Sequence, residues 1–367
     1  MSKDGEEILQ VFSIFRHGKR DAFINLETNE EYPGDLSEGA IINTINRGRN
    51  FIKKYFSKFP SSPFNQKDFK CIISNSIRTI KSIIYRLTDL LPKADIKSMT
   101  MEEVKEFSIK NIPNTVYDDK IFLSYVYTDP IVNNFCNSAP NYQNLFTEIE
   151  VELSKKSPKA VEIFKRYLVH PYFHGKPYEH LKISFIWDFL NLQKPEIEKT
   201  FSDDQKLIRE VMTKLNSNKK MLEVNLSNKN CNFCFCHQLI CSYYNEIDKL
   251  RKNADDKKKI ILLSAHDLYL NSLLNFFEVK DRSKFKYYFD DEINLIIFRK
   301  KGDKKLYFRL EYNDEEIDIP MSNLKNKKEC ELDALMNRIE KEYLIYTYND
   351  IIDFCNNKTT KEFYPSK

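Results

Sequence analysis

The chain has 367 residues, 41% of them hydrophobic, and 58 basic against 54 acidic residues leave a net charge of +4. That length and apolar content suit one large domain or two intimate ones, and a near-balanced charge with no dense basic stripe sets nucleic acid aside as a partner. With only 7 glycines and no P-loop or dinucleotide fingerprint, any phosphate must be held by Arg and His side chains.

No stretch approaches the roughly 20 apolar residues of a membrane span. The first residues, Met1 to Leu9, are polar and show no apolar signal region. Eight cysteines in a chain of this length are too sparse for a disulfide scaffold. The expectation is a cytoplasmic protein with most thiols reduced.

In chain order, Val11 to Phe15 is a short apolar, β-prone run that reads as a buried strand, and Arg16-His17-Gly18-Lys19-Arg20 follows at once. Gly18 is expected to let the backbone turn sharply and bring N–H groups toward a bound anion. Ile41, Ile45, Gly48, Ile52 and Phe56 fall on one face, so Leu36 to Phe56 reads as a helix, with Gly48 permitting close packing. A second strand, Cys71 to Ser74, leads into Asn75-Ser76-Ile77-Arg78-Thr79. Behind it Ile80, Ile83, Ile84, Leu87, Leu90 and Leu91 mark a helical face that Ser76 caps and Pro92 closes.

From Lys93 to Ser242 the pattern changes. Prolines 113, 130, 140, 158, 171, 177 and 195 interrupt mixed helical stretches, which read as an inserted, mainly helical second unit. A third strand, Ile260 to Ala265, runs into His266-Asp267, and Leu270, Leu273, Leu274 and Phe277 mark the next helix, with Asp267 at its N-cap. Glu292 to Arg299 and Lys304 to Glu311 alternate apolar and polar around Gly302-Asp303, a β-hairpin. A helix from Glu331 to Ile345 closes the ordered core.

Three apolar strands thus each end in cationic or titratable residues. In open α/β sheets ligands bind at the carboxyl ends of strands, so neighbouring strands would bring these residues to one pocket. Phosphoryl transfer needs a nucleophile, charge neutralisation and a proton for the leaving oxygen. Arg16, Arg20 and Arg78 can each fork onto phosphate oxygens. His17, between two arginines, is kept neutral with a lone pair available. His266 adds a donor, and Asp267 supplies a carboxyl group that can protonate a leaving alcohol and then activate water.

These residues carry a family resemblance. Arg16-His17-Gly18-x-Arg20 resembles the Arg-His-Gly-x-Arg-x-Pro signature of the histidine acid phosphatases, the acid-phosphatase and phytase branch of the histidine phosphatase superfamily, with Ala22 in place of the proline. Gly48-Arg49 to Tyr55 is similar to the helix that follows, Arg78-Thr79 to the strand-end Arg-Thr segment, and Ser264-Ala265-His266-Asp267 to the distal His-Asp motif. Phe308 to Pro320 is similar to the hairpin after that motif, and Cys330-Glu331-Leu332 to a late Cys-Pro-Leu. Leu268 and Tyr269 stand where small polar residues are usual. The mutase branch of the superfamily shares the first run but carries His-Gly distally, so His266-Asp267 favours the phosphatase branch.

The resemblance implies an α/β fold with a central mostly parallel or mixed sheet flanked by helices, phosphoglycerate-mutase-like, over residues 1–92 and 243–367. A smaller, mainly helical lid would occupy 93–242. It implies His17 as phosphate acceptor, Asp267 as proton donor, and Arg16, Arg20, Arg78 and His266 as the phosphate pocket. It calls for no metal and no cofactor. The expected partner is a phosphorylated small molecule, with no nucleic acid and no membrane span, and the sequence leaves the oligomeric state open. The activity expected is phosphomonoester hydrolysis. Alternatives are an inositol-polyphosphate or lysophospholipid phosphatase on the same fold, or a silent phosphate-binding homologue.

Two other clusters carry less. Cys231, Cys234, Cys236 and His237 crowd into seven residues, where zinc sites more often pair ligands two and two. His170, His174 and His180 lie among Pro171, Gly175 and Pro177, which deny them a regular helical face. They read as loop or packing residues, and Trp187 with Phe185 and Phe189 as lid core.

Overall fold

A computed structural model of the chain describes residues 5–20, 35–59, 67–118, 121, 151, 154–155, 229–279, 289–320 and 328–355. Its strands are β1 (Glu6–Arg16), β2 (Phe69–Ile73), β3 (Thr115–Tyr117), β4 (Ile260–Ala265), β5 (Glu292–Lys300), β6 (Leu306–Tyr312), β7 (Glu315–Ile317) and β8 (Cys330–Glu331). The helices of this account are α1 (Glu38–Tyr55), α2 (Ile77–Arg86), α3 (Met101–Asn111), α4 (Lys229–Arg251), α5 (Asp267–Phe276), α6 (Leu332–Glu342) and α7 (Tyr348–Cys355). The strands form one mixed sheet in the order β3-β2-β4-β1-β5-β6-β7, with β8 paired to β6. The β3, β2, β4 and β1 strands run parallel, and β5 turns antiparallel against β1.

The middle of β1, the end of β2 and most of β4 read as apolar runs because both faces of the sheet are covered there. Side chains alternate along a strand. On one face Val11 and Phe15 of β1, Cys71 and Ile73 of β2 and Ile260 and Leu262 of β4 join Phe51 and Tyr55 of α1, Ile80, Ile83 and Ile84 of α2 and Val104 of α3. On the other, the Phe12 ring lies 4.5 Å from that of Tyr243 on α4, and Phe277 after α5 meets Phe308 of β6 at 5.8 Å. Each such side chain fully buried is worth roughly 1.5–3 kcal/mol.

Gly48 shows how tightly α1 and α2 meet. A Cβ there would lie 1.9 Å from the carbonyl oxygen of Arg86, the last residue of α2. Close packing is therefore its role, as the sequence predicts. Gly302, with φ of +81°, turns the β5–β6 hairpin through the left-handed region that glycine tolerates. The hairpin forms where expected, but neither strand alternates in burial: Glu292 to Phe298 and Tyr307 to Tyr312 are all buried, as expected where both faces of a strand are covered.

The chain divides into two compact units. One comprises Met1–Lys19, Leu36–Ser124 and Asn232–Ile351 and contains the sheet; the other comprises Arg20–Asp35, Tyr125–Cys231 and Ile352–Lys367. The division corrects the expected start of the insertion at Lys93. Residues 93–118 belong with the sheet, because β3 pairs in parallel with β2 and Val104 of α3 packs into the same core. A three-residue strand is too short to show a period. At its other end, Asn232 to Ser242 of α4 also belong with the sheet unit; between 119 and 228 only residues 121, 151 and 154–155 are described, and His170, His174, His180, Phe185, Trp187 and Phe189 lie outside the described residues. The last expected helix is shorter than its reading, with α6 ending at Glu342.

Candidate active site

Parallel register brings the strand ends level. Arg16 of β1 pairs with Ala265 of β4, and Ile73 of β2 with Ser264. Beyond the strands the ladder continues for one more step: His17 N–H donates to the Ala265 carbonyl at 3.1 Å, and Ser74 N–H to the Ser264 carbonyl at 3.1 Å. The chain then leaves the sheet at each point, and the predicted residues emerge together.

His17 is buried. Its Nδ1 lies 2.8 Å from the Gly18 carbonyl, and Arg78 Nε donates to its Nε2 at 3.2 Å. A carbonyl can only accept and a guanidinium can only donate, so both neighbours demand one tautomer, with the proton on Nδ1 and the lone pair on Nε2. Its ring meets that of His266 edge-on at 5.2 Å. Arg16 Nη2 lies 3.2 Å from Asp267 Oδ2. His17 thus meets Arg78 and His266 while Arg16 meets Asp267, and the two sets are joined through the sequence neighbours Arg16-His17 and His266-Asp267.

The His17 pKa is held well below the usual histidine range, first by burial, then by electrostatic interaction with Arg78, His266 and Arg16, with the Gly18 carbonyl opposing. The neutral imidazole inferred from sequence stands, but its cause differs: burial and Arg78 outweigh the adjacent arginine. Arg20 is buried and begins the second compact unit.

Two local expectations are corrected. His266, extended at φ −120° and ψ 165°, occupies the N-cap of α5, and Asp267 is the first helical residue. The Asp267 side chain is 45% exposed while Arg16 is 10% exposed, so the carboxyl group reaches solvent from a buried anchor. Gly18 does not serve by an unusual backbone angle; a Cβ there would press on Thr44 Oγ1 at 2.7 Å. Its N–H donates to Ser82 Oγ at 2.9 Å, so that donor holds the loop to α2 and is not turned toward an anion.

Small hydroxyl residues fix the frame. Ser76 stands at the N-cap of α2 as predicted, but without a side-chain bond to the helix backbone; its Oγ meets Thr79 Oγ1 at 2.9 Å. The Thr79 hydroxyl also reaches the Ser74 carbonyl, and Ser264 Oγ donates to the Thr79 carbonyl at 2.8 Å. The Arg78-Thr79 turn is therefore tied to β2 and β4 at once. Ser74 Oγ lies 3.1 Å from His266 Nε2.

Sequence reasoning missed the segment entering β5. The Phe289 ring centre lies 4.0 Å from the Arg16 guanidinium carbon and 5.7 Å from the His17 ring. Asp290, Asp291 and Glu292 are all buried. Asp290 accepts from Asn43 at 2.8 Å and Thr44 at 2.7 Å, and burial pushes its pKa up against those bonds and Arg86. Asp291 accepts from Tyr312 and Asn313, and Glu292 from Arg86. Three acidic residues running directly into an apolar strand were the available signal.

Among the described residues no group of three or more His, Cys, Asp or Glu side chains is arranged to hold a metal ion. Cys234, Cys236 and His237 are buried in α4, where His237 Nε2 lies 2.9 Å from the Tyr343 carbonyl oxygen; the Cys231 side chain lies outside the described residues. Among the described residues no helix is long and apolar enough to cross a membrane.

No family model matches the chain, and no curated protein matches it by sequence. By structure, the chain shares its fold with phytases and multiple inositol polyphosphate phosphatases. The chain is similar to the phytase of Citrobacter braakii, with a TM-score of 0.58 at 12% identity over 92% of this chain and 98% of that one. It is similar to the multiple inositol polyphosphate phosphatase of Bifidobacterium longum complexed with inositol hexasulfate, with a TM-score of 0.57 at 10% identity over 93% and 92%. It is also similar to the phytase of Klebsiella sp. ASR1, with a TM-score of 0.55 at 13% identity over 92% and 97%.

Proposed function

We propose that the chain hydrolyses phosphate monoesters through a phosphohistidine at His17. The observation that carries this is the His17 ring: its Nδ1 faces the Gly18 carbonyl, its Nε2 faces Arg78, and its protonation is suppressed. That nitrogen is a nucleophile at the focus of cationic donors.

In the first step Nε2 attacks phosphorus and the ester P–O bond breaks. Arg16, Arg78 and His266 hold the phosphoryl oxygens, and the carboxylic acid of Asp267 gives its proton to the leaving alkoxide. Arg78 exchanges its bond to Nε2 for one to the phosphoryl group. The imidazole becomes positive as it bonds to phosphorus, and the Gly18 carbonyl at Nδ1–H stabilises that charge. In the second step the Asp267 carboxylate takes a proton from water, whose oxygen attacks phosphorus. The N–P bond breaks, and inorganic phosphate and neutral His17 are released. The substrate is a phosphorylated small molecule.

The test uses the whole chain and an aryl phosphate at several pH values, with and without chelator. His17→Ala abolishes turnover, and Asp267→Asn lowers the rate by about 10² to 10⁴, most for poor leaving groups. Full activity in purified His17→Ala rejects the mechanism. A chelator leaves the rate unchanged. The neighbours named as inositol polyphosphate phosphatases favour a second reading, an inositol polyphosphate as substrate. A panel of small phosphomonoesters, inositol phosphates and lysophosphatidate separates the two, and tight phosphate binding without turnover would mark a silent homologue.

A further inference from the structure

We infer that Phe289 is a positioning residue of this site: its ring fixes the plane of the Arg16 guanidinium and shields one flank of the His17 imidazole. The use made of those two residues rests on the reading above; the packing does not.

An arginine side chain has many rotamers, and it binds an oxyanion well only when its planar fork is held in place beforehand. Arg16 is held at two points. Its Nη2 reaches Asp267 at 3.2 Å, and its guanidinium carbon lies 4.0 Å from the centre of the Phe289 ring. Contact over the ring face is the favourable geometry for a cation on an aromatic. It limits the positions the guanidinium can take beside the strand end. The same ring lies 5.7 Å from His17, tilted by 48°. One apolar group therefore touches both the proposed nucleophile and a proposed phosphate ligand.

The position of Phe289 follows from the backbone. Asp290 N–H donates to the His17 carbonyl at 3.4 Å, and Arg16 N–H donates to the Asp291 carbonyl at 2.9 Å. These bonds carry the contact between the two chains two residues past Phe15 and Glu292. The Asp290 carboxyl group is anchored to Asn43 and Thr44 of α1. Phe289 is thus set one residue from a clamped stretch, beside the pair it covers. Burial of His17, to which the ring contributes, is also the first cause of its lowered pKa.

The experiment measures inorganic phosphate binding to the whole chain by calorimetry, beside KM and kcat with an aryl phosphate. Phe289→Leu keeps apolar bulk but removes the aromatic face. Phosphate affinity is expected to weaken on the order of tenfold and KM to rise in step, while Phe289→Tyr restores both. In an Arg16→Lys background Phe289→Leu has little further effect, because the two act as a unit. If Phe289→Leu does not fold, Phe289→Met takes its place with the same expectation. A folded Leu or Met variant that binds phosphate as well as the parent overturns the inference, as does a Tyr variant that folds and fails to restore binding. Phosphate binding needs no turnover, so failure of the His17 mechanism would show in the His17→Ala rates alone and leave this result interpretable.

Discussion

The two halves of the sheet meet at β1 and use charge in opposite ways. On the parallel side β1, β2 and β4 end level, and past their ends come Arg16-His17, Arg78 and His266-Asp267. On the antiparallel side β5 starts at the same end of β1, bringing Asp290, Asp291 and Glu292. Each of those carboxyl groups is occupied with protein: Asn43 and Thr44 on the first, Tyr312 and Asn313 on the second, Arg86 on the third. Parallel strands all finish in one direction, so their last residues converge and can face a ligand. A strand that begins there instead contributes its first residues, and here they brace the loop from behind. The comparison assigns the proposed chemistry to one half and support to the other.

The largest effect that tests this division is in the supporting half. The Arg86 side chain is fully buried and Glu292 nearly so, in contact at 2.5 Å, with the Arg86 guanidinium carbon 3.9 Å from the Phe15 ring centre. Glu292→Ala leaves a buried guanidinium without its carboxylate, and about 3–5 kcal/mol of stability should be lost in urea unfolding. Catalysis by the molecules that remain folded should change little. A large fall in their turnover with stability intact would break the division.

A smaller effect lies in pH. His17 is charged less readily in the folded chain than in the unfolded one. As pH falls below about 6.5 the unfolded state takes up a proton that the folded state refuses. The contribution of His17 to stability is therefore present above that pH and lost below it, by at most about 1.4 kcal/mol per pH unit. If His17 is the nucleophile, it resists protonation over this range, and activity should persist where stability declines. Comparing unfolding of the parent with His17→Ala at pH 7 and pH 5 isolates the effect. Equal losses in the two proteins would show that His17 protonates normally in the fold.

The parallel half was the legible half, for a physical reason. Its strands are short apolar runs, and each proposed site residue follows a run directly or, for Arg78, within one short turn, so Arg16, His17, Arg78, His266 and Asp267 were marked by local pattern alone. The helical stripes of α1 and α2 and the turn at Gly302 were readable in the same way. The support was not. Asp290 to Glu292 resembles a solvated acidic turn, since such residues are seldom buried, and only the register with β1 and the approach of α1, α2 and β6 enclose it. Phe289 touches Arg16 across 273 residues of chain, a distance that no periodicity spans. Errors of one residue, such as His266 rather than Asp267 at the N-cap of α5, arise because helix ends are the least determined part of any pattern.

Ser74 gives the smallest effect and the sharpest test, since it lies in the parallel half and carries no charge. Its Oγ is 3.1 Å from His266 Nε2, while its backbone N–H bonds to Ser264 and its carbonyl accepts from Thr79. The backbone bonds survive Ser74→Ala, so the unfolding midpoint should barely move. Lost is the hydroxyl that orients the His266 ring, a hydrogen bond worth about 0.5–1.5 kcal/mol. If His266 is a phosphate ligand, that loss appears as up to roughly tenfold weaker phosphate binding and a matching rise in KM. Ser74→Thr, which keeps the hydroxyl, should recover most of it. A Ser74→Ala protein with unchanged phosphate affinity would mean that His266 is oriented by its place at the head of α5 rather than by Ser74. A protein that instead lost stability without losing affinity would move Ser74 into the supporting frame and blur the line between the two halves of the sheet.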